Sequence, residues 1–246
     1  MRLLAYGVIP STIDLRNDVP SGVEGDPLRC VWGEALGLIY SLLDTEPSPK
    51  LASVYAEIVE RLHQRGVILP FRYGCIATSE LELLRILHEN QDEYQTLLDD
   101  LRDCEELSLG ILWNEAAIDV LGGSLPHLDT ISDDLPSDKS ATRHLLDRKS
   151  RYPRKDAQTA QAEYVTKLCE RFFTGLVKLA RAEWQANPEV ALLLRFLVER
   201  KKVPTFAERF RQFGDMFAVQ SELTGPFPLY TFSITTPIGY QGFPES

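Results

Sequence analysis

Gly66-Val67-Ile68-Leu69-Pro70-Phe71-Arg72-Tyr73-Gly74 has the apolar run of a buried strand and two residues that such a strand does not ordinarily hold. Strict alternation puts Val67, Leu69, Phe71 and Tyr73 on one face and Ile68, Pro70 and Arg72 on the other. Pro70 lacks the N–H that a ladder needs, which confines it to a sheet edge or a bulge. Arg72 keeps its charge at any ordinary pH. On an apolar face it requires a carboxylate or several carbonyls, and Glu57, Glu80 and Glu82 are near in sequence. Two roles follow from the residue type: an interior strut that fixes strand register, or an anchor for a partner's carboxylate.

Working outward, residues 3–9 alternate as a strand, and 14–27 are rich in turn formers. Two more strands follow at Leu28–Trp32 and Leu36–Leu43, with Gly33-Glu34 closing a hairpin. Leu51, Val54, Tyr55, Ile58 and Leu62 share one face of a helix that leads into the central strand. Ser79-x-x-Glu82 is a capping box for the next helix, whose seam is Leu84, Leu87, Gln91, Tyr94, Leu98 and Leu101. Its acidic face, Asp92, Glu93, Asp99, Asp100 and Asp103, reads as solubilising rather than as a divalent-metal site. Leu107, Leu109, Ile111 and Trp113 line another strand. The expected fold class is α+β in two domains. Residues 1–113 form a ferredoxin-like sandwich with helices on one face.

The second domain, 114–246, opens with a short helix near Glu115–Leu121, followed by a Gly/Pro/Ser/Asp-rich linker over Gly122–Asp138. A basic helix over Ala141–Tyr152 is stopped by Pro153. A longer helix over Ala157–Ala186 makes with it a coiled-coil-like hairpin. Val190–Val198 is a strand, Pro204 sits in the first turn of a helix carrying Phe206, Phe210 and Phe213, and Phe217–Leu223 is a last strand.

Composition bounds the function. The formal net charge is −10, and it is unevenly spread: residues 1–138 carry 9 Lys and Arg against 25 Asp and Glu, whereas 139–211 carry 17 against 8. The acidic half argues against a nucleic-acid or anionic-membrane binder, even though Arg143–Lys155, with Arg148 and Arg151, is locally basic. That segment reads as a solvated face, or as a contact for an acidic surface. The N-terminal apolar run is too short for a signal peptide and no segment reaches the length of a membrane span, so a soluble, cytoplasmic protein is expected. Cys30, Cys75, Cys104 and Cys169 have no paired short spacing, and His63, His88, His127 and His144 are mutually remote. With no Gly-rich phosphate loop and no nucleophile elbow, neither cofactor, metal nor enzymatic activity is expected.

Leu69-Pro70-Phe71-Arg72-Tyr73-Gly74 resembles the Leu-Pro-x-Arg-Phe-Gly signature of the gas vesicle protein F/L family. Leu223 to Phe232, with Gly225, Pro226, Phe227, Pro228, Tyr230 and Phe232, is similar to that family's closing Thr-Gly-Pro-Trp-Pro-Pro-Tyr-Ser-Phe. Leu4–Val8, Glu106–Trp113, Ala141–Arg151 and Leu192–Phe210 follow the family's course as well. The chain departs from it at Tyr55-Ala56, where the family has His-Glu, at Phe227 for Trp, and at Leu229 for the second Pro.

The resemblance implies a non-enzymatic accessory or minor structural protein of gas vesicles, the gas-filled shells that give buoyancy. Such a protein would act in a chaperone-like way on the major shell protein, contact other accessory proteins, and possess the means to self-associate. Pro70, Arg72, Tyr73, Arg148, Arg151 and the closing motif are its structural or partner-binding candidates. The rings of Phe227 and Tyr230 are expected to dock on the protein's own surface. The rival reading is a small-molecule-binding or catalytic α+β domain, since such folds host many functions.

Overall fold

In a computed structural model describing residues 2–13, 15, 19–111, 166–184, 192–217 and 221–233, β1 (Arg2–Pro10) is the central strand of the first sheet. It pairs antiparallel with β3 (Leu36–Leu43), which pairs in turn with β2 (Arg29–Trp32). On its other side lie β4 (Leu69–Pro70) and β5 (Ile76–Ala77), each two residues long. The sheet order is β2-β3-β1-β4, with β5 also on β1. Pro70 therefore stands at the sheet edge, where its missing donor costs no ladder bond.

Within Gly66–Gly74 only Leu69 and Pro70 are strand. After Phe71 the chain turns through Tyr73 and Gly74, whose φ of +93° suits glycine, and Cys75 donates its N–H to the Arg72 carbonyl at 3.3 Å. The turn breaks the predicted alternation, and Arg72 is exposed. It is not the interior strut.

The sheet is buried on both faces. α1 (Pro49–His63) covers one with Tyr55, Ile58, Val59 and Leu62, against Leu4, Tyr6, Ile9 and Ile39. The other face, with Leu3, Ala5, Val8, Leu38 and Tyr40, is covered by α2 (Glu80–Glu89) and α3 (Gln91–Leu101) through Leu83, Leu87, Tyr94, Leu98 and Leu101. The strand–helix–strand–helix–strand order predicts helices on one face of the sheet, yet helices cover both. β1 and β3, buried almost throughout, are the near-continuous apolar runs of a two-faced core.

Ser79 caps α2 as its sequence predicts, accepting from Glu82 N–H at 3.3 Å, while the Glu82 carboxylate accepts from Thr78 N–H and Oγ1–H, both at 2.8 Å. The single helix expected here breaks at Asn90, whose Nδ2 donates to the Ile86 carbonyl at 2.8 Å. α2 buries Leu83 and Leu87, whereas Leu84 of the predicted seam is exposed.

β6 (Cys104–Ile111) does not return to this sheet, as a ferredoxin-like arrangement would require. It belongs to a second sheet with β7 (Val177–Trp184), β8 (Leu192–Glu199) and β9 (Ser221–Phe227), in the order β7-β8-β6-β9. The long helix predicted over Ala157–Ala186 is helical at 166–172 and then ends: Gly175 takes φ +81° and the chain becomes β7. Val177 and Leu179 suit either period, and the left-handed glycine decides between them. The rest of the predicted coiled-coil hairpin, the linker and Trp113 lie outside the described residues.

Contacts divide the chain into two units: Met1–Leu107, Leu197–Val203 and Gly225–Ser246 form one, and Ser108–Phe196 with Pro204–Thr224 the other. These units differ from a single boundary at 113 with the whole C-terminal tail in the second domain. The difference arises because Leu197, Leu229 and Phe232 are buried in the core of the first unit. In the second unit, Phe173 stacks on Phe206 of α4 (Val203–Phe217), with ring centroids 4.3 Å apart, and Phe196 and Phe213 close the cluster. Arg195 donates to Ser108 Oγ at 2.6 Å within that unit.

Candidate functional site

What fixes the register of the first unit is Tyr55, on the helix face predicted to be apolar. β1 carries a bulge between Ala5 and Gly7. The Tyr55 hydroxyl lies under it, 3.1 Å from the Ala5 carbonyl, 3.2 Å from that of Tyr6 and 3.0 Å from that of Phe71. Its ring stacks on Tyr6 at 4.9 Å and meets Tyr73 at 5.3 Å. Tyr6 Oη is 3.0 Å from Ser41 Oγ and accepts from Val23 N–H. Burial, above all, pushes the Tyr55 phenol well above its ordinary value, with neighbouring Tyr230, Cys75 and Tyr6 adding to it. A neutral hydroxyl is thus held as a donor where three carbonyls converge.

The closing motif docks beside this node. Leu229 and Phe232 are buried, and Tyr230 is half-buried against the α1 face of the core. Two residues of β6 hold the segment or its surroundings. Glu106, itself buried, accepts from Thr231 N–H at 2.8 Å and from its hydroxyl at 2.7 Å. Ser233 Oγ donates to the Pro70 carbonyl at 3.2 Å, so the two stretches that resemble the family signature meet in space. Gly225 is required where it stands: its φ is +112°, and an added Cβ would come within 2.9 Å of the Glu106 carbonyl oxygen. Of the two rings expected to dock, Tyr230 does so. Phe227, at the sheet edge, is 37% exposed.

The neighbouring residue of β6, Glu105, floors a cleft of about 580 Å³ lined by Glu60, His63, Gln64, Arg200 and Gly225 to Pro228, all within the first unit. Its two oxygens are taken by His63 Nε2 and by Arg200 Nε, each at 2.6 Å. Burial acts to raise the Glu105 carboxyl, but the His63 bond and charge, then those of Arg200, outweigh it and hold the group below its usual range. A carboxylate so placed stays ionised and requires hydrogen on His63 Nε2. His63 is 4% exposed, and its Nδ1 has no hydrogen-bond partner among the described residues.

Sequence reasoning missed this triad, because His63 and Glu105 lie 42 positions apart. One signal was available: Glu105-Glu106 inside the apolar strand Cys104–Ile111 poses the same question as an arginine in a strand. Nucleophilic chemistry by thiol is disfavoured, since burial pushes Cys30, Cys75 and Cys169 up to about 12. Among the described residues no His, Cys, Asp and Glu cluster of metal-binding size occurs, and no helix is long and apolar enough to cross a membrane. Arg148 and Arg151 lie outside the described residues.

The gas vesicle synthesis protein GvpL/GvpF family model matches residues 2–233. The chain belongs to that family. Its fold agrees with two crystal structures of GvpF. That from Microcystis aeruginosa is 16% identical, with 95% of this chain and 99% of that one covered and a TM-score of 0.67. That from Anabaena sp. PCC7120 is 14% identical, with 98% and 99% covered and a TM-score of 0.69. No curated protein matches the sequence significantly. At such identities the agreement concerns the fold, a mixed arrangement of helices and two sheets, and it leaves the Tyr55 node and the His63 cleft as features of this chain's own residues.

Proposed function

We propose that this protein is a non-enzymatic accessory or minor structural component of gas vesicle assembly, associated with the vesicle and its cytoplasmic precursors. Family membership over residues 2–233 carries the reading. In it the chain binds the hydrophobic major shell protein and other accessory proteins, and shields apolar shell surface before it is built in. Trp32 at 45% exposure, on edge strand β2, supplies an open edge and apolar area for such contacts. Arg72 is free of any strut role and serves as a partner anchor, beside half-buried Tyr73. Opposite charge in the two parts of the chain favours ordered contacts with accessory proteins and self-association.

The test is co-expression of this chain with the shell protein, followed by pull-down and sedimentation. The shell protein should co-purify in soluble form, and Arg72→Ala should weaken recovery without altering the melting temperature. Shell protein that pellets equally with and without this chain would overturn the reading.

A further inference from the structure

The two edges of the first sheet are guarded unequally. One ends in β4, where Pro70 blocks further pairing; the other is β2, four residues with neither proline nor bulge. Gly33 donates to the Leu36 carbonyl at 2.8 Å, which sets the alternation of the ladder: Arg29, Val31 and Gly33 turn their backbone groups toward β3, and Cys30 and Trp32 turn theirs outward. Among the described residues these outward N–H and C=O groups have no hydrogen-bond partner. Trp32 lies over Gly37 of β3 and is still 45% exposed, beside a groove of about 720 Å³ whose apolar wall is Ile13, Leu15, Leu28 and Cys30. Arg29 stands at one end of the edge and Glu34 just past the other, both exposed. A strand added here has to run apolar along the groove, negative beside Arg29 and positive beside Glu34. β2 itself, turned end for end, meets all three demands.

We propose that β2 pairs antiparallel with β2 of a second copy of this chain, about a two-fold axis at Val31. Cys30 then faces Trp32 of the second copy, each such couple exchanges both of its N–H···O bonds, and every outward group is satisfied. On the groove face, Trp32 meets Cys30 of the second copy directly and its Leu28 and Trp32 on the diagonals. Arg29 comes beside Glu34 of the second copy. Centring the axis on Cys30 would make the two Arg29 side chains diagonal neighbours, and centring it on Trp32 would require the turn at Glu34 to pair, so charge and turn select Val31. The contact is four residues long, short of the ~800 Å² per partner of a stable interface, and the dimer is correspondingly weak. This deepens the self-association in the reading above, and a shell-protein strand would compete for the same edge; measured on this protein alone, the pairing can fail while shell binding stands.

Sedimentation velocity of the full-length protein over roughly 5–500 μM should show a reversible dimer in ~0.1 M salt that persists in ~0.5 M, because backbone bonds and apolar contact hold it; a head-to-tail contact between the acidic and basic parts would dissolve there. Trp32→Lys, at an exposed position, should weaken the dimer at least about tenfold. Glu34→Lys should weaken it too, and adding Arg29→Glu to that variant should restore it. Val31→Cys, once oxidised, should give a disulfide between the two copies at position 31, since residues paired there without ladder bonds to each other sit about 4.5 Å apart at Cα, within disulfide range. A protein monomeric throughout, a dimer lost at ~0.5 M salt, or position-31 thiols that do not join by peptide mass spectrometry would overturn the proposal. So would a dimer indifferent to Glu34→Lys, or to Trp32→Lys in a variant with native circular dichroism.

Discussion

Replacing Tyr55 by Phe removes one oxygen from the bulge of β1 and leaves the stacked ring in place. The hydroxyl has a single proton for carbonyls at 3.0, 3.1 and 3.2 Å, so the loss is one shared hydrogen bond, not three. The Tyr6 carbonyl keeps a second donor, Phe71 N–H at 2.9 Å. A net hydrogen bond contributes about 1 kcal/mol, and an under-satisfied buried carbonyl adds a similar amount, which gives about 2 kcal/mol for Tyr55→Phe. For a chain of this size that is a fall of about 4–8 °C in melting temperature.

Urea unfolding followed by tyrosine and tryptophan fluorescence measures it, with Arg72→Ala as the control, expected within about 0.5 kcal/mol of the parent because Arg72 is exposed. The phenol also sets an alkaline limit. Its folded value is raised, so its contribution is complete below about pH 10 and is lost as pH rises toward the folded value. The variant should therefore lose less stability between pH 9 and pH 11 than the parent, though Tyr6 and Tyr230, also raised, keep part of the slope. Equal stability of Tyr55→Phe and parent, or a larger loss from Arg72→Ala, would refute the assignment of the register to Tyr55.

Glu105→Gln should cost about 2 kcal/mol at pH 7, below the full value for a buried pair because Arg200 is half in water. Its folded value is lowered, so the difference from the parent should vanish as pH falls below the carboxyl range in acid unfolding curves. Glu106→Ala removes the two bonds that Glu106 accepts from Thr231, and limited proteolysis should then cut near residues 228–233 before the rest of the chain. Gly225→Ala meets both an unfavourable φ and a backbone oxygen at 2.9 Å, and should lower the urea midpoint by an amount equivalent to about 1–3 kcal/mol.

Local signals were the legible part of this sequence. The hairpin strands, the Ser79 cap, the apolar face of α1 and the edge position of Pro70 depend on neighbours a few residues away, and each stands where its residues place it. Misread features depended on something distant or on one backbone angle. Arg72 turned outward because Gly74 ends the strand, and Ala157–Ala186 changed from helix to strand at Gly175. Period alone does not distinguish these outcomes. The cleft was illegible for another reason: its parts come from α1, β6, the segment after β8 and the end of β9, and only the fold brings them to one carboxylate. The departure at Tyr55, noticed as a mismatch to the family pattern, marked the residue on which the bulge depends.

A ribosome delivers this chain from the N-terminus, and the first unit has to wait for its end. Leu229 and Phe232 belong to its core, Glu106 gains both Thr231 bonds from the same tail, and Arg200 reaches Glu105 from 95 residues further along. While the middle of the chain is being made, a nearly complete sheet therefore stands with apolar core surface uncovered and two buried-site carboxylates lacking cations or donors. Domain-by-domain folding during synthesis, the usual protection for chains of this length, is closed to it. A nonsense mutation anywhere before residue 225 should leave an aggregating fragment rather than a working N-terminal half.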